Sequence, residues 1–145
     1  MNDMRKKRVL IICTGNSFRS QMAEGFFKHL ASDMFDAYSA GIQPTTINPL
    51  AIKVMEEIGI DISRQYSKSI KELLSRSFDY IITVCDSAKQ TCPIFPGEYK
   101  KIHWDIEDPA GFQGAQEEIL EKTRKIRDII EKKIKELLKT ICVSI

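Results

Sequence analysis

The sequence has no long apolar run, no two cysteines separated by two residues, only two histidines and almost no net charge, and each absence removes a class of protein. After the basic segment Met1–Arg8, only Val9–Cys13 is continuously apolar. That is too short for the apolar core of a secretory signal and far too short to span a bilayer. The chain is therefore expected to be cytoplasmic, with no membrane partner and with its thiols kept reduced. His29 and His103 lie far apart and no close cysteine pair joins them, so zinc ligation is not expected and no metal is assigned. A formal net charge of +2 over 145 residues is too even for a nucleic-acid partner, although a local basic pocket for a small anion stays open. There is no internal repeat, linker or low-complexity stretch.

What is present is ordinary globular material, with 43% hydrophobic and 29% charged residues. At this length a chain buries roughly 70% of its unfolded surface and needs no disulfide or metal to fold. One domain over 1–145, acting as a monomer, is the expectation. In a reducing compartment the four cysteines, Cys13, Cys85, Cys92 and Cys142, read as catalytic, redox or buried thiols and not as a disulfide framework.

Strand and helix signals alternate. Val9–Cys13 is a β-branched apolar run suited to a strand buried on both faces. A helical pattern follows from Arg19 to Ala31, with Met22, Phe26, Phe27 and Leu30 at helical spacing. Phe35–Ala40 is a short strand ending at Gly41. Asn48 caps a helix that begins at Pro49 and runs through Ile58, with Gly59 just past its end. Ser67 or Ser69 caps a further helix, Ile70–Ser75. Phe78–Cys85 is a second strongly apolar strand, and Lys100–His103 is the last and weakest. Gln116–Leu138 reads as a long helix with Ile119, Ile126, Ile130, Ile134 and Leu137 on one stripe and Glu121, Lys125, Asp128, Lys132 and Lys135 on a solvated face. This alternation predicts an α/β fold, a parallel sheet with helices on both sides. Ligands in such folds sit at the carboxyl ends of the strands, where both Cys13 and Cys85 fall.

The segment Cys13-Thr14-Gly15-Asn16-Ser17-Phe18-Arg19-Ser20 joins a strand to a helix. Successive backbone N–H groups in such a loop curl round an anion and add to the positive end of the helix dipole. Gly15 and Asn16 tolerate the left-handed backbone that the curl requires. Arg19 offers a planar fork of donors to two oxygens of a tetrahedral ligand. The same field is expected to favour the Cys13 thiolate at neutral pH, giving a nucleophile beside a bound oxyanion. Ser20 is placed to donate to the Cys13 sulfur. The Cys-to-Arg spacing carries little alone; the strand before, the Gly-Asn turn within and the amphipathic helix after give it weight.

The loop resembles that of the low-molecular-weight protein tyrosine phosphatases and of the thioredoxin-coupled arsenate reductases that share their fold, and Gln21-Met22-Ala23-Glu24-Gly25 is similar to the reductase branch. The resemblance spans Val9 to about Leu138 and implies a three-layer α/β/α fold around a four-stranded parallel sheet. It makes Asp108-Pro109-Ala110-Gly111 the position of the general acid, although Asp-Pro before a Gly is also ordinary turn chemistry. Val84-Cys85-Asp86 through Cys92-Pro93 is similar to the redox pair of the reductases, and His103-Trp104 is also similar to that family. The polar segment between Cys85 and Cys92 reads as a hinge that lets one thiol travel.

The resemblance implies a relay in which Cys13 attacks arsenate, Cys85 attacks Cys13 and Cys92 attacks Cys85, leaving a disulfide for thioredoxin. The catalytic set is then Cys13, Arg19, Cys85, Cys92 and Asp108, with residues 13–20 holding the oxyanion and no cofactor required. Two alternatives stay open: phosphomonoester hydrolysis through a Cys13 phosphocysteine, and a non-catalytic oxyanion-binding module. Cys142 has no assigned role. Relatives that carry a further loop cysteine have it where this chain has Phe18. Some bind potassium through positions matching Asn16, Glu24, Ser39 and an Asp; Lys68 stands at the last, and its ammonium would replace the ion's charge.

Overall fold

The computed structural model describes residues 6–85, 90 and 92–143, without the side chains of the last two. Most of the proposed hinge between Cys85 and Cys92, and the side chain of Cys142, lie outside the described residues.

Four strands, β1 (Lys7–Cys13), β2 (Phe35–Gly41), β3 (Tyr80–Thr83) and β4 (Lys100–His103), form one parallel sheet in the order β2-β1-β3-β4. The register sets Cys13 beside Gly41, Ile12 beside Thr83 and Thr83 beside His103. The α/β architecture expected from the alternating signals is the one observed. β1 has a strand on each side and a packed layer on each face, which is why Val9–Cys13 is continuously apolar and buried.

Its side chains alternate between two cores. Val9, Ile11 and Cys13 face the larger core with α1 (Arg19–Leu30), α2 (Pro49–Glu56) and α3 (Gln116–Val143). Leu10 and Ile12 face the smaller core with Ile70, Leu73, Phe78 and Phe95. The three helices thus share one layer. Among the described residues the second layer is thinner, a tight helical turn at Ile70–Leu73 and the Phe95–Tyr99 segment.

Boundaries moved where tertiary contacts overrode local signals. The helix expected over Ile70–Ser75 is a single turn, capped by Ser69 and Glu72. It has only Ile70 and Leu73 to bury, and the exposed Ser75-Arg76-Ser77 gives no second turn anything to pack. β3 is shorter than Phe78–Cys85 because Phe78 turns into the smaller core and Asp79 is held by Arg8, whose N–H meets the carboxylate at 2.8 Å. The ladder runs one residue past Thr83, through Val84 N–H to Ile12 O at 3.0 Å, which leaves Cys85 just beyond the sheet edge. α2 starts as expected, with Asn48 Oδ1 accepting from Leu50 N–H at 2.9 Å, but its regular part ends at Glu56 before Gly59 takes a φ of 82°.

α3 continues beyond Leu138 because Ile141 adds a further buried position to its stripe. The charged face read from the sequence is exposed. Arg124 and Arg127 tie the helix to α2: Arg124 forks onto Glu57 and Arg127 donates to Val54 O and Glu57. These guanidinium groups hold the Glu57 carboxyl below its usual range. No helix among the described residues is long and apolar enough to cross a membrane.

Ile130 sits fully buried at the middle of the stripe. Ile130→Ala is expected to cost about 2–5 kcal/mol through lost transfer energy and a residual cavity. Urea denaturation followed by circular dichroism checks this, with a lowered midpoint at unchanged slope as the expected outcome.

Candidate active site

The loop after β1 is held from outside by the segment after β2. Ile42, Gln43, Thr45 and Asn48 donate their N–H groups to the carbonyls of Cys13, Thr14, Gly15 and Ser17 at 2.8–3.2 Å. A planar trans peptide directs its N–H opposite to its C=O, so carbonyls committed outward turn the following amides inward. The Asn16 amide accordingly lies 3.2 Å from Cys13 Sγ. Asn16 takes a φ of 49° and is the one non-glycine described residue with positive φ. Gly41 is required where the two segments touch, since a Cβ there would lie 2.7 Å from Thr14 O and 2.8 Å from Asn16 N.

Asn16 is fully buried and its side chain is fully used. Nδ2 donates to Ser20 Oγ at 2.8 Å and Ser39 Oγ at 2.9 Å, while Oδ1 accepts from Lys68 N–H at 2.8 Å. Its carbonyl accepts from Gln21 Nε2 and Ser67 Oγ. Ser20 Oγ in turn lies 2.8 Å from Cys13 Sγ. Phe18 points into the larger core, 2% exposed, and so contributes only backbone to the loop.

Cys13 is 2% exposed, and burial pushes its thiol above the ordinary value. The Ser20 hydroxyl and amide, the Arg19 guanidinium and the Asn16 amide pull the other way without outweighing it. Enclosure of the sulfur at the end of a central strand thus opposes the field of the loop, while Ser20, Arg19 and the Asn16 amide favour the thiolate expected from the sequence.

Arg19 is buried and spread over three segments. Nη1 donates to Val84 O at 3.0 Å and Ile106 O at 2.9 Å, and Nη2 lies 3.3 Å from Asp108 Oδ2. Its Nε is the one buried side-chain nitrogen or oxygen among the described residues without a partner. A buried orphan donor beside a ring of inward amides suits an anion oxygen. Asp108 is half-exposed, and its Oδ1 caps the turn Pro109–Gly111 by accepting from Ala110 N–H at 3.0 Å. The turn and the approach to Arg19 are thus made by one carboxylate.

Cys85 Sγ lies 3.2 Å from Thr14 Oγ1, so the second cysteine meets the loop. Cys92 is half-buried against the smaller core, where Cys85 also packs, and its sulfur lies 3.5 Å from Pro93 O. Burial raises the Cys92 thiol and Lys101 opposes this. No disulfide joins Cys13, Cys85 and Cys92 to one another.

The sequence reading missed the clamp by residues 42–48 and the parts played by Gln21 and Ser67. One signal was available, since Ser20, Gln21 and Glu24 put polar groups on a helix buried almost all round. The potassium ligands considered from the sequence do not fit an ion. Glu24 accepts from Ser39 Oγ at Oε1 and from Lys28 Nζ at Oε2, the latter at 2.6 Å, and Lys68 Nζ lies 3.7 Å from Oε1. Lys68 Nζ also donates to Tyr66 O at 3.0 Å, so a cation and its hydrogen bonds already occupy the donor set.

A buried thiol and a buried arginine framing an anion loop at the carboxyl end of a parallel sheet define a thiol enzyme acting on tetrahedral oxyanions. Residues 8–143 match the family model described as low molecular weight phosphotyrosine protein phosphatase, and the chain belongs to that family. Within it the chain stands with the arsenate reductases. It is 45% identical to an arsenate reductase of Halalkalibacterium halodurans over 137 residues, covering 94% of this chain and 99% of that protein. A solved arsenate reductase in a phosphate-binding state superposes with a TM-score of 0.75 at 33% identity, covering 93% and 98% of the two chains. A thioredoxin-dependent arsenate reductase of Corynebacterium glutamicum gives 0.72 at 32% identity, covering 97% of this chain and 64% of that one.

Gly41→Ala must displace loop backbone, which no side-chain rotation relieves. Turnover is expected to fall on the order of a hundredfold, the cost of misplacing reacting groups by about an ångström. Steady-state kinetics with p-nitrophenyl phosphate, run beside circular dichroism to verify folding, tests this.

Proposed function

We propose that the protein reduces arsenate to arsenite through a relay of Cys13, Cys85 and Cys92, with thioredoxin as the reductant. The observation that carries this reading is Cys85 beside Thr14, because a second thiol against the anion loop serves reduction and has no task in hydrolysis. In this account the loop amides and the Arg19 fork hold the oxyanion. The Cys13 sulfur acts as the thiolate, its proton passing to the incoming oxyanion, with Ser20, the Asn16 amide and Arg19 favouring the charged form. The Cys13 sulfur attacks arsenic as Asp108 protonates the departing hydroxide, giving a thiol–arsenate adduct.

Cys85 then attacks the Cys13 sulfur, its proton passing to the departing arsenic oxyanion. The sulfur–arsenic bond breaks with its electron pair on arsenic, which leaves as arsenite, and a Cys13–Cys85 disulfide forms. Cys92 loses its proton and attacks Cys85, and Cys13 departs as a thiolate, a leaving group stabilised by Ser20 and the Asn16 amide. The Cys85–Cys92 disulfide is reduced by thioredoxin. Hydrolysis of phosphomonoesters on the same loop is the second reading, favoured by Asp108 next to Arg19, which would protonate a leaving alkoxide equally well.

Consumption of NADPH with arsenate, thioredoxin and thioredoxin reductase, beside hydrolysis of p-nitrophenyl phosphate, separates the two. Cys92→Ser is expected to abolish coupled turnover, release about one arsenite per chain in a single turnover and leave hydrolysis nearly unchanged. Hydrolysis without arsenate-dependent oxidation in the unaltered protein would leave the phosphatase reading. In the same assay, exchange of potassium for sodium chloride at equal ionic strength is expected to leave turnover unchanged, because Lys68 supplies the positive charge beside Glu24.

A further inference from the structure

Ile94 is the most exposed large hydrophobic side chain among the described residues, at 91%, with Tyr66 next at 64%. It stands two positions after Cys92, in Cys92-Pro93-Ile94-Phe95. Its neighbour Phe95 is 2% exposed and packs edge-on against Phe78 at 5.6 Å and Tyr99 at 6.4 Å between ring centroids. Phe78 packs in the same way on Tyr38, and the Phe95 N–H lies 3.4 Å from the Tyr99 hydroxyl. This row of rings pins the segment to the smaller core. With Phe95 turned in, its neighbour Ile94 is turned out. The sheet edge supplies charge alongside: β4 is an outer strand, Lys101 is exposed on it on the face of the smaller core, and its charge reaches Cys92.

A protein thiol that opens a Cys85–Cys92 disulfide must bring its sulfur to Cys92 or Cys85, both half-buried, and so must cover the surface around them. We propose that Ile94 is the apolar anchor on which a thioredoxin-type dithiol protein docks, with Lys101 supplying positive charge at its margin; this rests on the reductase reading above. The partner that fits has its reactive thiol set in an apolar surface with acidic residues at the margin. Its thiolate attacks Cys92 Sγ, the Cys85–Cys92 bond breaks and Cys85 leaves as a thiolate. The partner's second thiolate then attacks its own sulfur in the mixed disulfide and releases Cys92. The partner's two thiols supply two electrons and two protons and end as a disulfide, and Cys85 and Cys92 end as thiols.

The test uses the full chain with Ile94→Ser and, as the conservative control, Ile94→Leu. Ile94→Ser is expected to raise the KM for thioredoxin by about tenfold with kcat unchanged at saturation. Turnover supported by dithiothreitol, which needs no docking surface, and the single-turnover release of arsenite should match the unaltered protein. Ile94→Leu should restore the thioredoxin KM. An unchanged KM in Ile94→Ser would overturn the proposal, as would an equal loss with dithiothreitol, which would place Ile94 in the fold or the relay. Absence of thioredoxin-coupled turnover in the unaltered protein would overturn both this inference and the reductase reading.

Discussion

One terminal nitrogen of Arg19 donates to two carbonyls, Val84 O and Ile106 O, which come from segments 65 and 87 positions away in sequence. A guanidinium is planar and rigid, so fixing Nη1 on those carbonyls also fixes the directions of Nε and Nη2. The residue after Val84 is Cys85, and Asp108 follows Ile106 by two. A single side chain therefore sets where the second thiol and the carboxylate stand relative to the anion loop. Because the group is buried, leaving its donors unmatched is costly, and the arrangement is held by that cost as much as by the bonds formed.

The loop itself rests on a second buried polar set. Asn16 reaches Ser20, Ser39 and the backbone of Lys68, and Ser39 reaches Glu24, which carries Lys28 and Lys68. In a medium of low polarity such a chain rigidifies the site when every member is matched and destabilises it when one is not. Lys68 shows the balance: burial lowers its pKa, and Glu24 opposes the shift. Around Cys13 the balance is struck differently, with burial stronger than the donors that would stabilise a thiolate. The Ser20 and Asn16 contacts to the sulfur stabilise it as the thiolate that departs.

The two faces of the sheet divide the work. The larger core holds Cys13 and the helices that position it, while the smaller core carries Cys92 and the Phe78–Phe95–Tyr99 row. Cys85 packs against both clusters at the carboxyl end of β3. That position suits a thiol passing a disulfide from one face to the other.

Much of this was legible in the residues. Val9–Cys13 and the apolar run around Ile81 announced buried parallel strands, the Gly15-Asn16 turn before Arg19 announced an anion loop, and Asn48-Pro49 announced a helix start, because each rests on chemistry acting within a few positions. The shortening of Phe78–Cys85 to four residues was not legible, since packing of Phe78 and the grip of Arg8 on Asp79 decide it from far along the chain. Nor was the raised Cys13 thiol, because charge and dipole signals can be read locally whereas desolvation depends on everything packed around the sulfur. By itself the sequence determined the fold class and singled out the candidate thiols, arginine and carboxylate. Tertiary structure decided their company: Cys85 at Thr14, Asp108 at Arg19 and Lys68 at Glu24 are contacts between residues 44 to 89 positions apart, whose geometry no local pattern encodes.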